Sequence, residues 1–278
     1  MHSSQLPPVF RFAPSPNGRL HVGHAYSALL NKKMARETGG KLLLRIEDVD
    51  QQRSRPEYEA GIYEDLEWLD IAFDETPRRQ SDNLAHYQTA LDDLIARGLA
   101  YPSSISRSEI AALAANDPYW PKDPDGAFLS PVSERSSNTA NRQSAIRLNM
   151  EAALAVCSPS INWREAGERI KCDAGQWGDV VLKSRDGSFA YHLAVVVDDA
   201  AQNITNIVRG RDLLAATSIH RVLQTLWSLP GPEYLHHTLI LDQSGEKLAK
   251  SRRSPTLETL RNQGLKPSEL RKQLGFSA

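Results

Sequence analysis

Residues 9–46 constrain the fold more than any other stretch of the chain. Val9 to Phe12 reads as a short strand, and Pro14, Pro16, Asn17 and Gly18 form a turn cluster. A helical stretch from about His21 to Glu37 follows, closed by Gly39 and Gly40, and Lys41 to Ile46 reads as the next strand. A strand, a helix and a second strand in this order make a βαβ unit, whose right-handed crossover leaves the two strands parallel and adjacent.

Helical patterns continue over Pro56 to Leu69 and Asp82 to Ala96, the latter capped by Gly98, so the N-terminal part predicts a doubly wound α/β arrangement. The texture then changes. Asn116 to Asn141 is crowded with Pro, Asp, Ser, Asn and Gly and has no sustained period. Strand-like pieces follow at Ala145 to Leu148, Ile161 to Arg164 and Val180 to Lys183, and Asp186-Gly187 signals a hairpin between Val180–Ser184 and Ser188–Ala194. Parallel-sheet texture returns at Ile204 to Val208, with a helix from Asp212 to about Trp227 and a strand at Leu239 to Leu241; Pro255 to Gly275 reads as two short helices. The expected fold class is therefore α/β. It is a Rossmann-type doubly wound parallel sheet over residues 1–100 and 190–245, with an inserted α+β subdomain over 101–189 and a short helical segment over 246–278.

Composition removes several function classes. The 278 residues are 40% hydrophobic and 24% charged, which excludes disorder and collagen-like structure. The longest apolar runs, such as Leu193 to Val197, are far below the ~18 residues that a membrane-spanning helix requires. Residues 1–10 show no positive stretch followed by an apolar one, so no export signal is expected and the reading is cytoplasmic. Cys157 and Cys172 form neither a CxxC pair nor a Cys/His ladder, which fits a reducing compartment and gives no sign of a structural metal. Net charge is only -1, yet residues 246–278 hold eight Lys or Arg against three Glu, a local +5 that leaves -6 elsewhere. That local surface suits phosphates, and a solvated helical face explains it equally well.

Two constellations carry chemistry. The first is Arg11-Phe12-Ala13-Pro14-Ser15-Pro16-Asn17-Gly18 leading into His21-Val22-Gly23-His24. A strand end, a turn and a helix start place His21 and His24 about one turn apart at a helix N-terminus, where unpaired N–H groups and the helix dipole favour a polyphosphate. Gly23 between them leaves room for a flat ring or a backbone. The second is Gly245-Glu246-Lys247-Leu248-Ala249-Lys250-Ser251, where two flexible ammonium groups flank a short spacer beside a glycine. Such a loop can settle on phosphates as charge develops, or simply be solvated.

In this order the two segments resemble the HIGH and KMSKS signatures of class I aminoacyl-tRNA synthetases. With LLLRIEDVD over Leu42 to Asp50 and VRGRDL over Val208 to Leu213, the chain resembles the glutamyl subgroup from about Val9 to Arg253. The resemblance implies a Rossmann catalytic domain that binds ATP at the C-terminal edge of its parallel strands. Full-length members carry a long helical anticodon-binding region after the lysine loop, whereas only twenty-seven residues follow Ser251 here. The chain is similar in this to the short members of the family. Their implied function is tRNA-independent activation of L-glutamate with ATP to glutamyl-adenylate, followed by transfer to the queuosine base of tRNA(Asp). Two rival readings stand beside it: charging of a tRNA 3′ end as a glutamyl-tRNA synthetase, and a noncatalytic tRNA-binding relative.

The resemblance implies roles residue by residue. His21, His24, Lys247 and Lys250 are the catalytic set, and Pro14, Gly18, His21, Gly23, His24, Lys250 and Ser251 bind ATP, with Mg2+ as its companion ion. Leu248 and Ala249 depart from the Met and first Ser of the KMSKS pattern but leave both ammoniums in place. For glutamate, Arg11 and Arg209 supply cationic forks, Glu47 supplies the counter-charge for the ammonium, and Phe12, Ala13, Pro14, Ser15 and Tyr191 line the site. Each charged role has an alternative: Arg45 is a competing partner for Glu47, Asp212 for Arg209, and Tyr191 is a possible core residue. Many short members hold zinc through a CxC pair, a Tyr and a later Cys. Here Tyr101-Pro102-Ser103-Ser104-Ile105 and Ser130-Pro131-Val132-Ser133-Glu134 stand in those places, so zinc is not expected and the metal set is empty. Packing by Tyr119, Trp120 and Phe128 is expected to hold the insertion instead. The expected partners are L-glutamate, ATP and queuosine-containing tRNA(Asp), with no membrane, and the chain is expected to be a monomer.

Overall fold

The computed structural model describes residues 6–136, 144–157, 161–240 and 255–276. In chain order the elements are β1 (Val9–Phe12), α1 (Val22–Thr38), β2 (Lys41–Ile46), α2 (Pro56–Trp68), β3 (Arg78–Arg79), α3 (Leu84–Ala96), β4 (Ala100–Ser103), α4 (Arg107–Ala114) and β5 (Ala145–Leu148). They continue as α5 (Met150–Val156), β6 (Asn162–Glu165), β7 (Glu168–Lys171), β8 (Val181–Lys183), α6 (Tyr191–Ala201), β9 (Asn206–Gly210), α7 (Thr217–Leu226), β10 (Glu233–His237), α8 (Leu257–Asn262) and α9 (Pro267–Gln273). The chain divides into two compact units, one of residues 1–82, 203–214 and 232–278, the other of residues 83–202 and 215–231.

The first unit is the doubly wound one. Its strands run β3-β2-β1-β9-β10, all parallel, with Phe10 opposite Leu42 on one side and Asn206 on the other. Counted within the unit this is the order 3-2-1-4-5, whose reversal falls between β1 and β9. Side chains alternate along each strand, so Phe10, Phe12, Leu42, Leu44, Ile46 and Val208 gather on one face. They pack with Leu20, Ala25, Ala28 and Leu29 from the first crossover, Ile62 and Leu66 of α2, Leu257 of α8 and Leu270 of α9. Buried Asn31 of α1 pins helix to sheet, donating from Nδ2 to the Val208 carbonyl at 3.1 Å. Gly39 ends α1 in the left-handed region at φ 63°, a conformation that costs a side-chain-bearing residue more than glycine.

The second unit carries the antiparallel sheet β4-β5-β8 and the β6–β7 hairpin. Asp179 organises it. Its carboxylate accepts two hydrogen bonds from the Arg135 guanidinium (2.7 and 2.9 Å), one from the Tyr101 hydroxyl (2.8 Å) and one from the Met150 N–H (2.9 Å). Burial alone would raise the Asp179 pKa, but these donors outweigh it and hold the group below the ordinary carboxylate value. The aromatic packing expected of this region is largely absent: Tyr119 is 91% exposed and Phe128 partly exposed under the Lys122 ammonium, while Trp120 is half-buried and donates from Nε1 to the Leu129 carbonyl. Charge-assisted hydrogen bonds do the work assigned to rings.

Two strand readings are corrected. Residues 191–201 form helix α6 rather than the second arm of a hairpin; after β8 only a bridge between Lys183 and Phe189 remains. The β-branched run misleads because Leu193, Ala194, Val195 and Val196 are all buried, so the helix has lost the polar face that would have revealed its period. Among the described residues the last strand of the parallel sheet is Glu233–His237, earlier in the chain than the expected strand at 239–241, of which residue 241 lies outside the described residues. It pairs with β9 from Glu233↔Asn206 to His237↔Gly210. Among the described residues no helix is long and apolar enough to cross a membrane.

Candidate active site

At the start of α1 the two histidines cap the helix they begin. His21 is the N-cap in an extended conformation, and its Nδ1 accepts from the Gly23 N–H at 3.1 Å. His24 Nδ1 accepts in return from the His21 N–H at 3.1 Å, a capping box built from imidazoles where Ser and Glu are usual. These bonds assign the unprotonated nitrogen of each ring to Nδ1, so in the neutral form each carries its proton on Nε2. The ring centroids lie 3.9 Å apart. Gly23 suits this geometry, because a Cβ there would come to 3.0 Å of His21 Cε1, close enough that the ring would have to shift by a few tenths of an ångström. The ring for which Gly23 makes room is that of His21. The preceding turn is tied to the neighbouring strand, as the Glu47 N–H donates to the Pro14 carbonyl at 3.0 Å and the Arg55 N–H to that of Pro16 at 2.9 Å. Ala13, Pro14 and Ser15 therefore run beside the end of β2.

Strand register gathers the charged candidates. Arg11 on β1 is opposite Leu43, so Arg45 and Glu47 continue the same face of β2 and its extension. Pairing of Phe10 with Asn206 places Arg209 of β9 on that face as well. Arg11, Arg45 and Arg209 are 4%, 0% and 5% exposed, and so many buried guanidiniums need anionic or polar partners. Glu47 Oε1 lies 3.2 Å from Arg45 Nη2, so the competing partner raised by the sequence is engaged. Arg209 donates from Nε to His236 Nε2 at 2.9 Å and from Nη2 to the Leu213 carbonyl at 3.1 Å. All of these emerge at the C-terminal ends of β2, β1 and β9, astride the point where strand order reverses, the usual ligand edge of such sheets. The Phe12 ring points the other way, into the core beneath α1.

Sequence reasoning named Arg45 only as a competing partner for Glu47 and missed His236 altogether; neither was counted as a member of this cluster. Arg45 becomes visible once the period-two alternation of β2 is read through to Glu47. His236 becomes visible only when Glu233–His237 is recognised as a strand, which its polar composition conceals. Tyr191 belongs to the second unit, where it is the first residue of α6 with its ring edge-on to His192 and His220, centroids 5.5 and 5.6 Å away. Lys247, Lys250 and Ser251 lie outside the described residues.

Where the resemblance would place thiolate ligands, Ser103 Oγ and the Ile105 N–H both donate to Glu134 Oε2, at 3.0 and 3.2 Å. Among the described residues no group of three or more His, Cys, Asp or Glu side chains is placed to hold a metal ion. Cys157 and Cys172 are free thiols, and burial raises the pKa of both.

The family model for tRNA synthetases class I (E and Q), catalytic domain, matches residues 9–276. The chain is 42% identical over 280 aligned positions to a glutamyl-Q tRNA(Asp) synthetase of Rhodobacter capsulatus, covering 96% of this chain and 100% of that protein. It is 36% identical to a glutamate–tRNA ligase of a Synechococcus species, covering 94% of this chain and 56% of the ligase. Among solved structures it resembles a glutamate tRNA ligase from Elizabethkingia meningosepticum in complex with its amino acid. That match has a TM-score of 0.74 and 28% identity, and covers 90% of this chain and 54% of the other. The chain thus spans about half the length of the glutamate–tRNA ligases and the full length of the Rhodobacter protein. Parallel strands in a doubly wound order, a histidine-capped first helix and a family match over residues 9–276 together place this chain in the class I tRNA synthetases of the glutamate and glutamine group, as a carrier of their catalytic domain.

Proposed function

We propose that the chain activates L-glutamate with ATP, without requiring RNA for that step, and transfers the glutamyl group to the queuosine base of tRNA(Asp). The observation that carries the reading is the buried set of Arg11, Arg45, Glu47 and Arg209 at one sheet edge, beside a helix start whose two imidazoles cap it through Nδ1. Guanidinium forks suit the two carboxylates of glutamate, Glu47 suits its ammonium, and Ala13, Pro14 and Ser15 supply backbone lining. Nε2–H groups of His21 and His24 suit phosphate oxygens at the positive end of α1.

In the first step a glutamate carboxylate oxygen attacks the α-phosphorus in line. The new P–O bond forms as the bond to the β-phosphate breaks, and pyrophosphate leaves. Lys247, Lys250 and Ser251 are assigned to charge developing on the phosphates, which places them with Pro14, Gly18 and Gly23 around ATP. In the second step a hydroxyl of the queuosine cyclopentenediol attacks the acyl carbon, AMP leaves, and the hydroxyl proton passes to solvent. Mg2+ suits this scheme as an ion carried by the ATP phosphates and water, because that ion keeps much of its water shell and takes few protein ligands. The basic residues of the C-terminal segment are assigned to the RNA backbone, and the protein is read as a cytoplasmic monomer.

The relative that matches over its whole length supports the queuosine acceptor, while similarity to glutamate–tRNA ligases supports the second reading, transfer to a tRNA 3′ end. Pyrophosphate exchange into ATP tests the shared first step. Exchange that depends on glutamate and proceeds without RNA is the expected result; none with or without tRNA contradicts the activation chemistry.

A further inference from the structure

Just before the capping histidines stands Arg19, a residue to which neither the family signature nor the reaction assigns a task. Its side chain, 25% exposed, leaves the turn and lies across α2 toward α8. Nη2 is 3.2 Å from Glu258 Oε1 on α8, and Nη1 is 4.0 Å from Glu64 Oε2 on α2. The guanidinium also rests on the backbone of α2 at Gly61, where a Cβ would come to 2.0 Å of Nη1. A glycine in the middle of a helix costs about 1 kcal/mol relative to alanine. Its presence at the one place where Arg19 crosses α2 marks a built contact.

The same stretch is held from a second side. The Leu257 N–H donates to the Leu20 carbonyl at 2.9 Å, and His21 bridges antiparallel to Thr256. Leu20 and Leu257 are both buried in the core beneath α1. Glu258, which Arg19 grips, is the next residue along, so the side chain of Arg19 and the backbone of Leu20–His21 hold one short segment from two directions. Arg261, one turn later on α8, reaches back to α2 at Asp65 Oδ1 (3.2 Å) and Glu64 Oε2 (3.3 Å).

We propose that Arg19 is a positioning residue for the His21/His24 pair: by clamping α8 against α2 it fixes the backbone of Leu20 and His21, and with it the N-cap from which both imidazoles are aimed. The histidines depend on that backbone directly, since the His21 N–H is the donor that orients His24. A single exposed ion pair contributes little to stability, so the role of Arg19 is geometric. Misplacement of a reacting group by a fraction of an ångström to an ångström costs rate steeply. The kinetic consequence rests on the reading given under Proposed function; the clamp itself does not.

The test uses the full chain and four proteins: unaltered, Arg19→Ala, Arg19→Lys and Gly61→Ala. Gly61→Ala removes the resting place of the guanidinium while favouring the α2 helix, so it keeps the test open if Arg19→Ala fails to fold. Hydrogen exchange at the Leu257 amide reports the clamp, and glutamate-dependent pyrophosphate exchange reports the histidines. In Arg19→Ala and Gly61→Ala the Leu257 amide is expected to exchange about tenfold faster while amides in the interior of α1 keep their protection. Their kcat falls about tenfold with KM for glutamate within about twofold, and Arg19→Lys recovers part of the loss. Unchanged Leu257 exchange, an unchanged kcat in an active enzyme, or a loss of protection spread evenly over the first unit overturns the proposal. If the unaltered protein performs no pyrophosphate exchange, the functional reading fails, and the Leu257 measurement alone decides the clamp.

Discussion

Two jobs meet in the imidazole of His24: its Nδ1 closes the cap of α1, and its Nε2 is the group assigned to phosphate. The jobs are separable by substitution. Glutamine at position 24 retains an acceptor able to reach the His21 N–H, as in an ordinary capping box, but not the ring. His24→Gln is expected to unfold within about 1 kcal/mol of the parent and to lose about 100-fold in pyrophosphate exchange. A fully active variant would remove His24 from the chemistry. Asp65 offers a different residue-level prediction. It is wholly buried, and burial pushes its carboxyl up to about 6 even though Arg261 and Arg19 pull it down. The folded chain therefore holds a proton that the unfolded chain releases near 3.8. The stability this confers is full below the unfolded value and is lost as pH rises through the folded one, a change of about 3 kcal/mol. Asparagine at 65 cannot titrate. The Asp65→Asn protein should thus gain on the parent by that amount between about pH 4 and pH 7 in urea unfolding, and a difference independent of pH would contradict the assignment.

Among the elements, those that announced themselves are the ones whose pattern is local. β1, β2 and β5 fall on the residues expected, and α1 begins and ends within a residue of its histidine and glycine signals, because pattern and boundary there lie within a few positions. α6 and β10 did not, for opposite reasons. α6 is too apolar to display a face, and β10 is too polar to display a core, its Glu, His and His residues being partly exposed. The insertion was legible as irregular, but its organiser was not, since Asp179 gathers Tyr101, Arg135 and Met150 from separate stretches of the chain. Asp179→Asn keeps the shape and removes the charge, leaving the partly buried Arg135 guanidinium without its principal counter-ion. It is expected to cost the second unit about 3 kcal/mol in urea unfolding near neutral pH. Because the donors hold Asp179 below its ordinary value, the stability it adds is present above about 3.8 and fades as pH falls through the folded value, so parent and variant converge in acid. Equal stability at neutral pH would show that the hub is replaceable.

For the molecule as a whole, the doubly wound class was inferable from one βαβ unit and the return of strand texture after the insertion, whereas the strand order and the position of its reversal came from the pairing of the strands. The composition of the charged edge was inferable only in part. Arg11, Glu47 and Arg209 stand at strand ends that the sequence marks, with Arg45 in view as the rival partner of Glu47, whereas His236 enters through pairing register, which one chain without its neighbours does not display. The same limit applies to Arg19, whose partners lie on two helices remote in sequence. What a sheet edge of this kind acts on is decided by its acceptor, and the acceptor separates the two enzymatic readings. The direct measurement is incorporation of labelled glutamate, with ATP, into tRNA(Asp) that carries queuosine and into the same tRNA lacking it, with the attachment point mapped by nuclease digestion. Label on the queuosine nucleotide of the first and none on the second is the expected result; equal labelling of both, or label at the 3′ end, would contradict it.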